Sequence, residues 1–248
     1  MSNPQYYVSD VVGVETFENV CYLKKIHKHK KIDLLFNWPN IVQTTSSKLD
    51  KIVEFNFNIC TSNNRKKNIT NYLYLGNTSI AHDYKSIIGF LNHYNKELNY
   101  LKFEINLFGK NSNFLTLEND SIQQNFWGLV PEHNIPFILS KVDCGIVSLN
   151  RKAKTHNIPG KFISYTQYKL PIICFANINS PLAKLILNYD CGIVIDLEID
   201  SRKNWNKFLN FIKKFNQKKL YYSKNSFKLF TENFDTKSTV NQILTTFK

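Results

Sequence analysis

Between residues 72 and 197 six short apolar runs alternate with stretches whose apolar residues recur every three or four positions. No other feature constrains the fold as strongly, because strands separated by helix-length segments join most simply as parallel neighbours with crossover helices. The runs are YLYLG (72 to 76), KFEINLFG (102 to 109), QNFWGLV (124 to 130), CGIVSL (144 to 149), LPIICFA (170 to 176) and CGIVIDL (191 to 197). Between them, residues 83 to 94 place Tyr84, Ile87, Ile88, Leu91 and Tyr94 at helical spacing, and 134 to 140 and 180 to 188 fill the next gaps. The pattern predicts an α/β fold with a doubly wound, Rossmann-like parallel sheet, whose ligands bind at the carboxyl ends of its strands.

The C-terminal third is helical in character. WNKFLNFIKKF puts Trp205, Phe208, Leu209, Ile212 and Phe215 on one face, and helical patterns follow near 218 to 232 and 236 to 247. A stripe of this kind is core, packed against the sheet. The first 70 residues differ: SDVVGVET (9 to 16) resembles a strand, ENVCYLKKI (18 to 26) a helix and KIDLLFNWP (31 to 39) a second strand. A polar stretch ending in CTSNNRKKNIT (60 to 70) then reads as an exposed, structureless linker. The expected division is a small unit with its linker over 1–70, a ligand-binding sheet domain over 71–235 and a terminal helix over 236–248. A lone βαβ unit cannot bury both faces of its sheet, so the first unit lacks surroundings.

With 248 residues, 43% of them hydrophobic, the chain can bury a sizeable core as one large domain, or one domain with part of another. A charge of +13 favours anionic partners. Abundant Asn, Lys, Ile, Tyr and Phe beside sparse Gly and Ala is what an AT-rich genome would produce, so the charge alone does not argue for nucleic acid. The lysines are also spread along the chain, with no RNA-binding signature. Five scattered cysteines without a CxxC pair read as reduced thiols of a cytosolic protein. Neither a leader peptide nor a spanning helix is expected.

Three stretches carry candidate chemistry. In IPGKFISYTQYKLPII (158 to 173) a glycine and a lysine open a helix between two strands. That suits an anion site, since free N–H groups at a helix start attract phosphate, and it equally suits an ordinary strand-to-helix turn. The carboxylates of DLEID, Asp196, Glu198 and Asp200, invite a metal but read better as a solvated loop. The basic run KKIHKHKK (24 to 31) is either a solvated helix end or a contact for an anionic membrane, and its histidines, two apart, do not share a helix face for zinc.

In order, YLYLGNTS, FEINLFGK, FWGLVPEHNIPFILSKVDCGIVSL, IPGKFISYTQYKLPIICFA and LILNYDCGIVIDLE resemble the C-terminal half of a GT-B glycosyltransferase, closest to the retaining, nucleotide-sugar-dependent family 4. The resemblance covers 72 to roughly 235, and NSFKLFTENFDTKSTVNQIL (225 to 244) is similar to the family's last helices. SDVVGVETFENVCYLKKI with KKIDLLFNWPNI resembles the last βαβ unit of the family's acceptor domain, which implies that most of that domain has no counterpart here.

The resemblance implies a nucleotide diphosphate sugar as donor substrate, no cofactor and no metal. It puts Gly76 and Asn77 in the first phosphate turn and Gly160 and Lys161 at the phosphate-binding helix start, with Lys161 neutralising the leaving group; a solvated helix-start lysine is the other reading. Many members carry an arginine and a lysine where this chain has Asn77 and His82, and His82 would substitute only when protonated. The family's two glutamates, spaced E-x7-E, become His156 and Ser164. His156 would hydrogen-bond the donor sugar as the catalytic-side residue or sit on a surface loop, and Ser164 would hold the ribose only in part. Expected partners are a nucleotide-sugar donor, a glycan or lipid-linked acceptor and a separate polypeptide supplying the acceptor domain, with peripheral contact to the inner membrane and no nucleic acid. A non-catalytic remnant or interaction module that keeps the half-fold stays open beside the enzyme.

Overall fold

A computed structural model of the chain describes residues 9–36, 51–66, 68–76, 82–98, 101–110, 117, 122–150, 158–199 and 201–246. Its centre is a six-stranded, all-parallel sheet of β3 (Thr70–Leu75), β4 (Phe103–Phe108), β5 (Gln123–Gly128), β6 (Cys144–Ser148), β7 (Ile172–Phe175) and β8 (Gly192–Ile195). The spatial order is β5-β4-β3-β6-β7-β8, so the chain winds outward in one direction from β3 and then in the other from β6. This is the doubly wound order of Rossmann-like domains, and β3 and β6 flank its switch point.

The apolar runs alternate across the sheet as the two-residue period of a strand requires. Leu73, Val147, Ile172, Cys174 and Val194 enter one buried cluster, and Tyr72, Tyr74, Ile146, Ile173 and Ile195 the other. Because both faces of β6, β7 and β8 are covered, those strands are buried along their whole length and their runs were conspicuous, whereas the edge strand β5 is partly exposed and β4 carries Glu104 and Asn106. One face carries α5 (Ile135–Lys141), α6 (Gly160–Gln167) and α7 (Pro181–Tyr189), and the other carries α3 (Tyr84–His93), after which the short α4 (Asn95–Leu98) leads into β4.

Helix α8 (Ser201–Asn233) runs unbroken for 33 residues where two separate helical patterns were expected. Its first half buries Trp205, Phe208, Phe211 and Phe215 under one face of the sheet, and its end brings Leu229 and Phe230 to the other cluster. Trp205 stacks on Tyr94 at 4.4 Å and donates its indole N–H to Glu97 at 2.7 Å. Helix α9 (Thr236–Thr246) then returns to a small unit of β1 (Val11–Val14), α1 (Phe17–Ile26) and β2 (Lys31–Leu34), where the Gln242 amide donates to the Leu34 carbonyl. That unit is a two-stranded parallel sheet with its own cluster of Val20, Leu23 and Ile32. No helix among the described residues is long and apolar enough to cross a membrane.

The stretch expected to be a structureless linker instead contains α2 (Lys51–Lys66), and β3 begins at Thr70. Phe57 is buried against Phe108 and Trp127, with ring centroids 5.2 and 5.3 Å away. The inner face continues with Thr61 and Asn64, at helical spacing but polar, because it covers polar strand residues. Asn64 donates to Asn71 at 2.7 Å, and Asn71 donates through its backbone N–H to Asp143 at 2.8 Å. Asn64→Ala is expected to lower the unfolding free energy by about 1–2 kcal/mol, since the buried Asn71 oxygen loses its donor. A urea titration measures it, and an unchanged midpoint would restore the linker reading.

Candidate functional site

The carboxyl ends of β3, β4 and β5 and the start of α6 enclose a cleft of about 460 Å³ at one side of the switch point. β3 ends at Leu75 and is followed by Gly76, whose φ of +108° is a conformation that residues with a side chain rarely adopt. Its N–H donates to the Phe108 carbonyl at 2.8 Å, which ties the two strand ends together. Across the cleft, α6 begins after Pro159 with no side-chain cap, so its first turn offers backbone N–H groups at a positive dipole end.

Lys161 occupies that first turn. Its ammonium nitrogen lies 4.2 Å from the centroid of the Tyr74 ring, and a Cβ placed on Gly76 would be 3.4 Å from it. The residue as a whole is only partly buried, but Nζ itself is shielded from solvent and makes no hydrogen bond among the described residues. Burial pushes this amine from its usual 10.5 down to about 7. No carboxylate lines the cleft among the described residues, so nothing in it compensates the charge.

His82 faces the same cleft with Nδ1 3.1 Å from the Ser148 carbonyl oxygen. A carbonyl only accepts, so Nδ1 carries a proton and Nε2 is the atom whose state varies. Burial, and after it the nearby Lys161 charge, hold the imidazole below its ordinary range against the opposing pull of that carbonyl. Ser164, one turn into α6, donates its hydroxyl to the Gly160 carbonyl at 3.3 Å. The far wall is apolar: Phe108, Leu129, Val130 and Ile135.

Of the residues singled out in the sequence, Gly76, His82, Gly160, Lys161 and Ser164 come together in this cleft. Asn77 and His156 lie outside the described residues. Asp196 is buried at the end of β8, where its carboxylate accepts from Ile178 N at 2.8 Å and Glu198 N at 3.1 Å and so closes its own loop. Asp200 falls outside the described residues. In the basic run, Lys30 donates to the Ser9 carbonyl at 2.9 Å, bracing the turn between α1 and β2.

Two residues that shape the cleft were not anticipated. Tyr74 looked like one more core residue of an apolar strand, yet its ring supports the Lys161 ammonium. Tyr165 reaches from α6 into the sheet, where its hydroxyl accepts from Leu75 N at 2.9 Å and donates to the Leu73 carbonyl at 3.4 Å. A Cβ on Gly145 would sit 2.3 Å from the Tyr165 ring, so that glycine is what admits it. A glycine inside a strand run is the one sequence signal that pointed there.

No protein-family model and no curated protein matches the chain. Solved structures do. WaaG, a glycosyltransferase involved in lipopolysaccharide biosynthesis, superposes with a TM-score of 0.61 at 12% identity over 88% of this chain and 58% of its own. Sucrose-phosphate synthase from Thermosynechococcus elongatus gives 0.64 at 12% identity, over 98% of this chain and 58% of its own. A glycosyltransferase from Rickettsia africae gives 0.64 at 14%, over 97% and 65%. The architecture is thus that of the GT-B glycosyltransferases, and the chain spans less than two thirds of the length of these neighbours.

Proposed function

We propose that the cleft binds a nucleotide diphosphate sugar by its diphosphate, and that the chain is the donor-binding half of a retaining glycosyltransferase of the family 4 type. The acceptor would be a bacterial surface polysaccharide or a lipid-linked oligosaccharide. The observation that carries this reading is the Lys161 ammonium: buried, without a hydrogen-bond partner among the described residues, and held between the end of β3 and the start of α6. An anion is what such a group lacks.

In this reading the diphosphate lies against Gly76, where the missing side chain allows close approach, and against the first turn of α6. Lys161 neutralises charge on the departing nucleoside diphosphate, an interaction that strengthens as the glycosidic bond breaks. The base rests near Leu129 and Val130. His156 would approach the donor sugar and Asn77 the phosphates. The chain would work in the cytoplasm, with KKIHKHKK touching the inner membrane and a separate polypeptide completing the acceptor side around β1 and β2.

One observation favours a second reading, a non-catalytic module that keeps the half-fold. Where the family has a glutamate, the Ser164 hydroxyl is turned to its own helix carbonyl, which leaves no carboxylate for the ribose among the described lining residues. Isothermal titration with UDP, GDP and their sugars separates the cases. Binding by at least one, displaced by its nucleotide, is the expected result, and turnover is then sought with candidate acceptors. A folded protein that binds none of them would overturn the donor-site reading.

A further inference from the structure

An ammonium that binds a phosphate is ordinarily charged before the ligand arrives. In this cleft the groups that would meet the anion are arranged differently. Lys161 Nζ is shielded from water, has no hydrogen-bond acceptor among the described residues and rests on the face of Tyr74. No carboxylate lines the cleft among the described residues. From β3 comes Tyr74, whose hydroxyl is held protonated by burial, and from the approach to α3 come His82 and Asp83. Asp83 is already engaged as the cap of α3, accepting from Ser86 N at 3.1 Å and Ser86 Oγ at 2.5 Å. Among the described residues the walls at the ends of β4 and β5 and at the start of α5 are Phe108, Gly109, Leu129, Val130 and Ile135, and α6 adds the neutral Ser164.

His82 sharpens the point. Its Nδ1–H is committed to the Ser148 carbonyl, so in the neutral ring Nε2 carries a lone pair and would repel a phosphate oxygen. Only the imidazolium donates from both nitrogens. An incoming dianion therefore finds two bases that accept protons more readily once it is bound, because each gains a charge-assisted hydrogen bond in the protonated form alone.

We infer that the cleft takes up protons together with its diphosphate, so that ligand binding is pH-linked through Lys161 and His82. This rests on the donor-site reading above. The step balances simply: a solvent proton adds to the Nζ lone pair, and a second, in part, to His82 Nε2, and each new N–H donates to a phosphate oxygen. Burial depresses both bases in the empty site, Lys161 to about 7, which places the linkage in the neutral range. The cleft would then load its ligand in mildly acidic to neutral conditions and release it as the pH rises.

Calorimetry with UDP-glucose and GDP-mannose suits the test, since their diphosphates hold no titrating proton near neutrality. The same titration is run near pH 8 in buffers of different ionisation enthalpy. The expected result is a net uptake of about one proton per ligand, with affinity weakening by up to about tenfold per pH unit above 7. Lys161→Arg, whose charge is permanent, should flatten that dependence, and His82→Asn should lower the uptake. Nuclear magnetic resonance of 13C-labelled lysine follows Lys161 directly in the wild-type protein, independently of whether the variants fold. Binding with no proton uptake and no pH dependence overturns the inference and leaves the donor site standing. An empty-site Lys161 that stays charged up to pH 9 overturns it as well, and failure of every nucleotide sugar to bind removes both readings.

Discussion

Lys161→Met should weaken nucleotide-sugar binding by about 10- to 100-fold and at the same time raise the melting temperature of the empty protein. The first effect follows from losing a charge-assisted bond to phosphate, worth about 1.5–3 kcal/mol. The second follows from the cost of folding around this amine. In the unfolded chain the lysine keeps its usual value of 10.5, and in the folded chain it sits at about 7. That fall from 10.5 to about 7 costs on the order of 4 kcal/mol against folding at pH 7, where half of the folded molecules have given up a proton that the unfolded chain still holds. The contact with the Tyr74 ring offsets about 1 kcal/mol of what methionine would recover. Between pH 7 and about 8.5 the unfolded chain binds more protons than the folded one, so wild-type stability rises with pH, and in Lys161→Met this rise should vanish. Thermal melts at three pH values, paired with ligand titrations, check both halves. A variant that loses binding and stability together would mean that Lys161 is a structural residue and not a ligand-seeking one.

A trade of stability for a binding group was only partly legible in the amino-acid sequence. The glycine and lysine at the head of α6 stood out because Gly160 and Lys161 interrupt two apolar runs. The doubly wound sheet was legible for a related reason: strands covered on both faces turn into unbroken apolar segments, and the helices between them keep a 3.6-residue period. Where the covered surface is itself polar, that signal fails. Helix α2 buries Phe57, Thr61 and Asn64 over a network that includes Asn71 and Asp143, so a packed helix carries the composition of a linker. Tyr74 and the Ser148 carbonyl were invisible for another reason. Their roles depend on what lies across the cleft from them, and strands distant in sequence meet only through the order β3-β6. The fusion of two helical patterns into α8 likewise reflects packing: one helix crosses from one face of the sheet to the other, and its apolar stripe shifts along the way.

Gly145→Ala should cost about 3 kcal/mol of stability and weaken ligand binding, although residue 145 lies on β6 and does not line the cleft. The added methyl would come within 2.3 to 2.7 Å of three ring atoms of Tyr165. That ring cannot yield without breaking contacts, being fully buried with its hydroxyl fastened to Leu75 N and the Leu73 carbonyl. Two relaxations remain. If the ring swings away, the buried Leu75 N–H loses its acceptor, at about 1–3 kcal/mol, on top of a strained core of similar cost. If α6 moves outward instead, Lys161 moves with it, because residues four apart share a helix face. Either route disturbs the end of β3, where Gly76 and the ammonium meet. Chemical denaturation and nucleotide-sugar titration of the single variants and of Gly145→Ala with Tyr165→Leu separate the clash from any intrinsic effect of alanine in the strand. The double variant should be less destabilised than the two single changes added together, since the alanine methyl then meets no ring. Additive losses would show that Gly145 serves β6 alone, and the placement of Lys161 would then rest on the first turn of α6 without the Tyr165 anchor.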